Sequence, residues 1–385
     1  MLKILHTGDL HLDSPLSTLD FTIAQKLREE EKRSFERMMQ YAIQNDVDLI
    51  LIAGDLFDGK YVTSATKELV IKLFRDFAKP IVISPGNHDP YSLVPLYRSS
   101  ELPENVHVFS SEKLSRFDFD ELETSVFGYA FVTNSLEHSP LAEYDMSLGK
   151  NPVRLLCAHA DVGSPLSKYA PVTVFDIERF DFSYAALGHI HKPPEIKSEK
   201  TPISYSGFLF GRSFDEVGEG GAYLVTVDQE KTESRRISFS DYAFLREELD
   251  VSGAVDNFEI AQKISDFITE RGFGKNIFLR LTLVGGIEMG LNINTKALEK
   301  NSGELALLEI KDNTSFVLGC DFLRHDLSVK GEIYRILLPK LESDDPEERK
   351  LAAKALKVAI CALDGQKVLG LVGLDENDLD NEGDN

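Results

Sequence analysis

The sequence predicts a layered α/β domain followed by a smaller α+β domain. Three observations carry this reading. Short, nearly continuous apolar runs alternate with helical stretches up to about residue 240, and near residue 241 the order changes to strand, helix, strand. The chain has 385 residues, more than one core holds, because single cores stop growing near roughly 250 to 300 residues. The expected boundaries are residues 1–240, a second domain over 241–340, a C-terminal helix over 341–365 and an acidic tail over 366–385.

Candidate strands in the first domain cover residues 2–7, 47–53, 80–84, 153–158 and 184–187. Runs such as VDLILIA and VRLLCA are apolar on both faces, which predicts sheets covered on both sides. Between the first two strands, residues 22–44 have helix-forming composition, with acids early and Phe35, Met38, Met39 and Ala42 at helical spacing. In the second domain FLREELDV reads as a strand. Ile260, Ala261, Ile264, Phe267 and Ile268 then mark one face of a helix that stops at Gly272, and NIFLRLTLVG reads as the next strand.

Asp345 and Pro346 read as the cap and first turn of a last helix. Its expected apolar stripe is Leu351, Ala355, Val358, Ala359 and Ala362, and Gly365 ends it. Amphipathicity alone favours packing on its own domain over binding a partner. The tail beyond, with Asp378, Asp380, Glu382 and Asp384, is expected to be disordered.

Trp is absent, but 24 Phe with ample Val, Ile and Leu supply a core that needs neither disulfides nor metal to fold. Cys157, Cys320 and Cys361 form no CxxC pair, so no disulfide framework or thiolate zinc site is indicated, and a reducing compartment fits. The N-terminal MLKILHTGDLH is broken by polar residues before a signal-peptide core forms, and no apolar run reaches membrane-spanning length. A soluble cytoplasmic protein with no membrane partner is expected. The net charge of −22 opposes a nucleic-acid partner, since phosphate contacts draw on Lys and Arg. Acids in the tail account for some of the excess, and bound dications would offset more.

Five polar clusters each follow a candidate strand: Asp9 with His11, Asp55, Asn87 with His88, His159, and His189 with His191. In α/β sheets the carboxyl ends of strands form the crevice where ligands bind, so distant clusters converge there. Asp9 and His11 are two apart, as are His189 and His191, and in extended chain that spacing aims each pair to one side, so each pair could serve one metal centre. Carboxylate, imidazole and amide oxygen without thiolate suit manganese, iron or zinc, and so many imidazoles disfavour calcium. Seven donors with one bridging carboxylate suffice for two ions. Gly8, Gly54, Gly86 and Gly188 each precede a proposed ligand or ligand pair, as tight turns or close backbone approach would require. Alone, each His or Asp would read better as a surface or satisfied core residue. Five clusters at strand ends reverse that preference.

The ordered set GDLH at 8–11, GDLFD at 54–58, GNHD at 86–89, AHA at 158–160 and GHIH at 188–191 resembles the calcineurin-like metallophosphoesterase signature. ILHTGDLHLDSPL and YSGFLFGRSFDE at 205–216 more narrowly resemble the SbcD-type DNA repair exonucleases, particularly the YhaO-like branch. The resemblance covers about residues 1–240 and is weak beyond. It implies a four-layer α/β/β/α sandwich with a smaller capping domain, and two divalent ions, with manganese first among the candidates. Carried over, Asp9, His11, Asp55 and His191 hold one ion, Asp55, Asn87, His159 and His189 the other, and Asp55 bridges. His88 stands beside the scissile phosphate and assists the leaving oxygen. Asp58 takes the place where related archaeal and eukaryotic nucleases have a second His, as in the bacterial pattern, and is given a supporting role, a hydrogen bond to His88 or ligation. Asp89 has the same status.

The resemblance further implies a DNA exonuclease, with possible endonuclease action, that works with an SbcC-like coiled-coil ATPase as a homodimer. Lys192, Lys197, Lys200, Arg212, Arg235 and Arg236 are candidates for a DNA-binding face, although such residues usually form solvated surface. One rival is a phosphodiesterase or phosphatase for small molecules or cyclic nucleotides, because the motif sets the reaction more firmly than the substrate. Another, a non-catalytic scaffold, is disfavoured by the complete donor set. His6 is expected on the opposite strand face from Asp9 and His11, supporting the ligands from behind or packed in the core rather than ligating. His107, His138 and His325 are expected at the surface, and Cys157 as a small buried side chain.

Overall fold

The computed structural model describes residues 1–17, 20–59, 62–142, 151–192, 195–228, 231–288, 290–300, 303–317, 321–365 and 368. They form two compact units, Met1–Ala243 and Phe244–Asn385. The expected acidic tail and Cys320 lie outside the described residues.

In chain order the first unit contains β1 (Leu2–Thr7), α1 (Phe21–Gln44), β2 (Leu49–Ile52), α2 (Ser64–Phe77), β3 (Ile81–Ile83) and β4 (Val106–Val108). Next come β5 (Ser115–Phe119), β6 (Thr124–Gly128), β7 (Val153–His159), β8 (Asp161–Val162), β9 (Pro171–Val172) and α3 (Val174–Glu178). β10 (Tyr184–Gly188), β11 (Ile203–Tyr205), β12 (Gly218–Val227) and the first part of β13 (Thr232–Asp250) complete it. One sheet runs β13-β12-β1-β2-β3-β4 and the other β11-β10-β7-β6-β5. β1 to β4 are parallel, as are β6, β7, β10 and β11, so their carboxyl ends share one edge within each sheet.

Alternation along the strands builds the layers. Leu5, Ile50, Ile52, Ile81 and Ile83 pack with Phe35, Met38 and Met39 of α1 and Val70 and Phe74 of α2. Ile4, Leu49, Leu51 and Val82 face the other way and meet Val126, Leu155, Cys157, Tyr184 and Ala186 between the sheets. Leu156, Ala158, Ala185 and Leu187 pack outward with Ile177 of α3, Phe180 and Phe182. The unit is therefore a four-layer α/β/β/α sandwich. Of the early acids in α1, Glu29 is exposed while Glu30 and Glu31 are buried. Glu30 accepts hydrogen bonds from Ser34, Arg37 and the Asp241 N–H, whereas neither Glu31 oxygen makes a hydrogen bond of ordinary geometry.

Besides the end of β13, the second unit contains α4 (Asn257–Arg271), β14 (Ile277–Val284), β15 (Gly286–Ile287), α5 (Thr295–Glu299), β16 (Leu307–Asp312) and β17 (Ser315–Phe316). It ends with α6 (Asp321–His325), α7 (Val329–Leu341) and α8 (Pro346–Leu363). Asp256 caps α4 and Gly272, in the left-handed region, closes it, as its stop signal predicts. The stripe expected on the last helix is one register off. Ala352, Leu356, Ile360 and Cys361 are buried, while Leu351, Ala355 and Ala362 are exposed. The reason is polar: the Lys357 ammonium reaches both Asp312 carboxylate oxygens at 2.7 Å and the Thr314 hydroxyl, which turns that flank of α8 inward.

His6 lies in the core, bonded to the Tyr184 hydroxyl (2.9 Å) and the Leu187 carbonyl (3.1 Å), and burial lowers its pKa to about 3. Cys157 is buried as expected, and burial pushes its thiol up. His138 and His325 are exposed. His107 is half-buried, its ring set against Phe117 and Phe119. No described helix is long and apolar enough to cross a membrane.

Candidate metal centre

Each chemistry-bearing residue sits where a parallel strand ends. Asp9 and His11 follow β1, Asp55 follows β2, Asn87 and His88 follow β3, His159 closes β7, and His189 and His191 follow β10. The loops are tied to one another by backbone bonds, Asp9 N–H to Gly54 O (3.0 Å), His11 N–H to Asp55 O (2.9 Å) and Gly59 N–H to His88 O (3.1 Å). A side chain on Gly54 (φ +90°) would collide with His159, 2.3 Å from Nδ1. One on Gly86 would come 2.2 Å from Asp55 Oδ1. Both glycines are therefore required by close approach.

The two-residue spacing works differently from expectation. Asp9 (φ 50°), His11 (φ 49°) and Asp55 (φ 49°) are left-handed and His189 has φ 105°, so strand alternation has already ended when the ligands begin. Non-glycine residues held there cost of order 1–3 kcal/mol each, a strain that clusters at functional sites. The pair 189/191 is also split. His191 groups with Asp9 and His11, whereas the His189 ring packs on His159 (5.0 Å between centroids) and Tyr169 (4.9 Å).

Three groups place one ligand atom per residue within 4.8 Å of one another: Asp9, His11 and His191; Asp9, Asp55 and His159; and His11, Asp58 and His88. His11 Nε2 is 3.2 Å from His191 Nε2 and 3.7 Å from Asp55 Oδ2. His159 Nε2 is 2.8 Å from Asn87 Oδ1 and 3.5 Å from Asp55 Oδ2. Donors each about 2.0–2.2 Å from a shared cation lie roughly 3–4 Å apart, so these spacings fit a divalent ion. The hydrogen bonds behind the rings agree. His159 Nδ1 meets the Ala53 carbonyl (3.1 Å) and His191 Nδ1 meets Glu216 Oε1 (2.7 Å), which leaves Nε2 of each as the lone-pair nitrogen facing the cluster. His11 Nδ1 is buried, has no hydrogen bond among the described residues, and lies 3.7 Å from Asp58 Oδ1.

Burial raises the Asp9 pKa, only partly opposed by His191 and His159. At Asp55 burial acts in the same sense, but His159, His11 and His88 outweigh it and hold the carboxyl below its ordinary value. His88 is the accessible member, its side chain 50 % exposed. Its Nδ1 bonds Asp58 Oδ1 at 3.0 Å, and that bond raises its pKa. Asp58 is held in turn by the Ser14 hydroxyl (2.9 Å).

Two neighbours, Glu216 and Arg212, carry no metal-ligand motif of their own in the sequence. Glu216 is buried, supports His191, and is gripped by Arg212 through both backbone N–H and guanidinium. Arg212 is thus committed inside the site and is no part of an exposed basic face. Glu216 ends the YSGFLFGRSFDE segment, the only sequence signal for it. Asp89 is a brace: fully buried, its carboxylate accepts the N–H groups of Asp55, Leu56, Phe57 and Gly86 and the Tyr97 hydroxyl. Burial and the Asp55 charge push it up to about 7, against those donors.

Residues 2–193 match the family model of the calcineurin-like phosphoesterases. The chain is 30 % identical to the metallophosphoesterase YhaO of Bacillus subtilis (strain 168) over 301 residues, 74 % of this chain and 72 % of that one. The chain belongs to the calcineurin-like phosphoesterase family. It is also 28 % identical, over 277 residues, to the SbcD component of the SbcCD nuclease of Staphylococcus epidermidis, covering 64 % of this chain and 71 % of that one. A dimetal phosphatase from Danio rerio aligns over 62 % of this chain and 99 % of its own, at 8 % identity and a TM-score of 0.41. Family membership implies a phosphoester hydrolase that uses divalent metal, and the convergent donors are where such ions would be held.

Proposed function

We propose that this calcineurin-like phosphoesterase is a two-metal DNA nuclease, an exonuclease, hydrolysing phosphodiester bonds in DNA repair. The observation that carries the reaction is the pairing of a closed donor cluster with one accessible imidazole, His88, fixed at its lip by Asp58. The observation that favours DNA is the likeness to a protein named as part of a nuclease.

Asp9, His11, Asp55 and His191 would hold one ion, and Asp55, Asn87, His159 and His189 the other, with manganese preferred. The ions supply Lewis acidity and a nucleophile activated at neutral pH. The chain's own residues position the reaction. Asp58 accepts from His88 Nδ1–H and so aims Nε2 outward, where a proton on it meets the leaving oxygen as charge develops there. Glu216 keeps His191 in one tautomer and one orientation. An SbcC-like ATPase, homodimer formation and a cytoplasmic location belong to the same reading, the first drawn from the relative's name. Such a partner would supply DNA grip that a chain of charge −22 lacks.

The test is hydrolysis of linear duplex DNA with manganese and with chelator, using wild type and His88→Ala, with a cyclic dinucleotide as control. Manganese-dependent degradation that falls about 10²–10⁴-fold in His88→Ala is expected. Rapid turnover of the cyclic dinucleotide with inert DNA would replace the nuclease by a small-molecule phosphodiesterase on the same centre.

A further inference from the structure

A cavity of about 310 Å³ opens beside the metal centre, lined by His191, Lys192, Gly207, Phe208, Val217, Glu219 and Arg236. It shares a wall with the centre at two points. His191 points Nε2 to the cluster while its backbone carbonyl lies under Gly207, where an added Cβ would come to 3.3 Å. Ser206 contacts Asp9 through its hydroxyl (3.4 Å) and accepts from Arg236 through its carbonyl (2.6 Å).

The cationic lining differs from two arginines of this unit that are locked to carboxylates. Arg212 is neutralised by Glu216, and Arg37 by Glu30 and Asp241. Arg236 donates only to the Ser206 and Phe208 carbonyls and leans on the Tyr223 ring, so its charge has no carboxylate partner among the described residues. Lys192 is exposed and has none either. Glu219 is the only acidic residue in the lining, leaving an excess of one positive charge directly next to a centre that receives a phosphodiester. Gly207 (φ +65°) is in the left-handed region, which favours glycine at this turn, and an added Cβ would make only close contact with the His191 carbonyl and the Arg236 guanidinium. At this volume the cavity matches the small end of ligand clefts, which run roughly 300–1,000 Å³. It suits one unit of a single strand and not a duplex.

We infer that this cavity is a subsite for the phosphate adjacent to the scissile one, with Lys192 as its flexible contact, so that the enzyme selects a polynucleotide strand over an isolated phosphodiester. The inference rests on the nuclease reading and narrows it to strand recognition. Arg236 acts as fixed charge that also clamps the turn at Gly207, and Glu219 sets an upper limit on affinity by repelling the same anion.

Two measurements keep this inference separate from the nuclease reading. The first is equilibrium binding of a fluorescent single-stranded oligonucleotide to the full chain in chelator, where no hydrolysis occurs. Lys192→Gln should weaken binding about threefold to fivefold and lower the slope of log affinity against log salt by about 0.7. Glu219→Gln should tighten it. The second is manganese-supported turnover, comparing the oligonucleotide with bis(p-nitrophenyl) phosphate. The KM penalty of Lys192→Gln should be larger on the oligonucleotide. Weakened binding without any oligonucleotide hydrolysis by wild type would retain the subsite and overturn the nuclease. Oligonucleotide hydrolysis with unchanged binding in both variants, or equal KM penalties on both substrates, would overturn the subsite.

Discussion

Both units bury ionisable side chains, but they leave them in opposite conditions. In the second unit Lys357 and Asp312 meet at 2.7 Å with Thr314 completing the set, so the pair is satisfied within its own core. In the first unit Asp9, His11, Asp55 and His159 are buried too, yet the ring nitrogens of His11 and His191 are set against each other at 3.2 Å and His11 Nδ1 has no hydrogen bond among the described residues. Buried charge that serves architecture closes its hydrogen bonds internally. Buried charge that serves a ligand stays incomplete until the ligand supplies the missing cation.

Exchanging one residue from each set breaks the comparison most sharply. Asp55→Ala is expected to lose both ions and at least about 10³-fold in turnover. Lys357→Ala should instead keep its manganese and lose about 3–5 kcal/mol in urea unfolding, because it strands Asp312. Metal analysis and denaturation of both variants check this, and metal loss from Lys357→Ala would erase the distinction. A smaller effect sharpens the role of the support behind a ligand. Glu216→Gln removes the carboxylate from His191 Nδ1 and should weaken metal affinity about 10- to 100-fold, read by competition with a chelator.

The smallest effect concerns Glu31, a buried carboxyl that belongs to neither condition. Burial raises it from 4.5 to about 8, partly opposed by the nearby Asp13 N–H. A raised acid stays protonated in the folded chain while the unfolded chain ionises, so the stability it gives is present below about pH 4.5 and is lost as pH rises to about 8. Glu31→Gln keeps the neutral form at every pH. Its melting temperature should match wild type near pH 5 and exceed it by about 2–6 °C at pH 8. An equal difference at both values would assign Glu31 a different role.

Much of the fold was legible because apolar periodicity is a local signal. β1 lies at the residues expected, and α1 begins one residue early with Phe35, Met38, Met39 and Ala42 buried. The strand-end positions of Asp9, Asp55, Asn87, His159 and His189 were legible for the same reason. The turn of α8 was not, since it depends on Asp312, 45 residues away. The role of Glu216 was hidden in a comparable way, and Asp89, expected to support His88 or ligate, braces backbone N–H groups instead. What each carboxylate does depends on a nitrogen supplied by another loop, and no spacing along the chain records that. The pairing of His189 with His191 misled because alternation was extended past the point where φ changes sign.

The brace formed by Asp89 also bears on how the centre is loaded. One carboxylate collects N–H groups from the loop carrying Asp55 and from the loop carrying Asn87, and Tyr97 anchors it. The gap between those two loops is therefore fixed by the protein's own hydrogen bonds. A divalent ion held by Asp55 and Asn87 would meet loops whose backbones are already tied together. Metals of different size must adapt to a frame that does not widen for them.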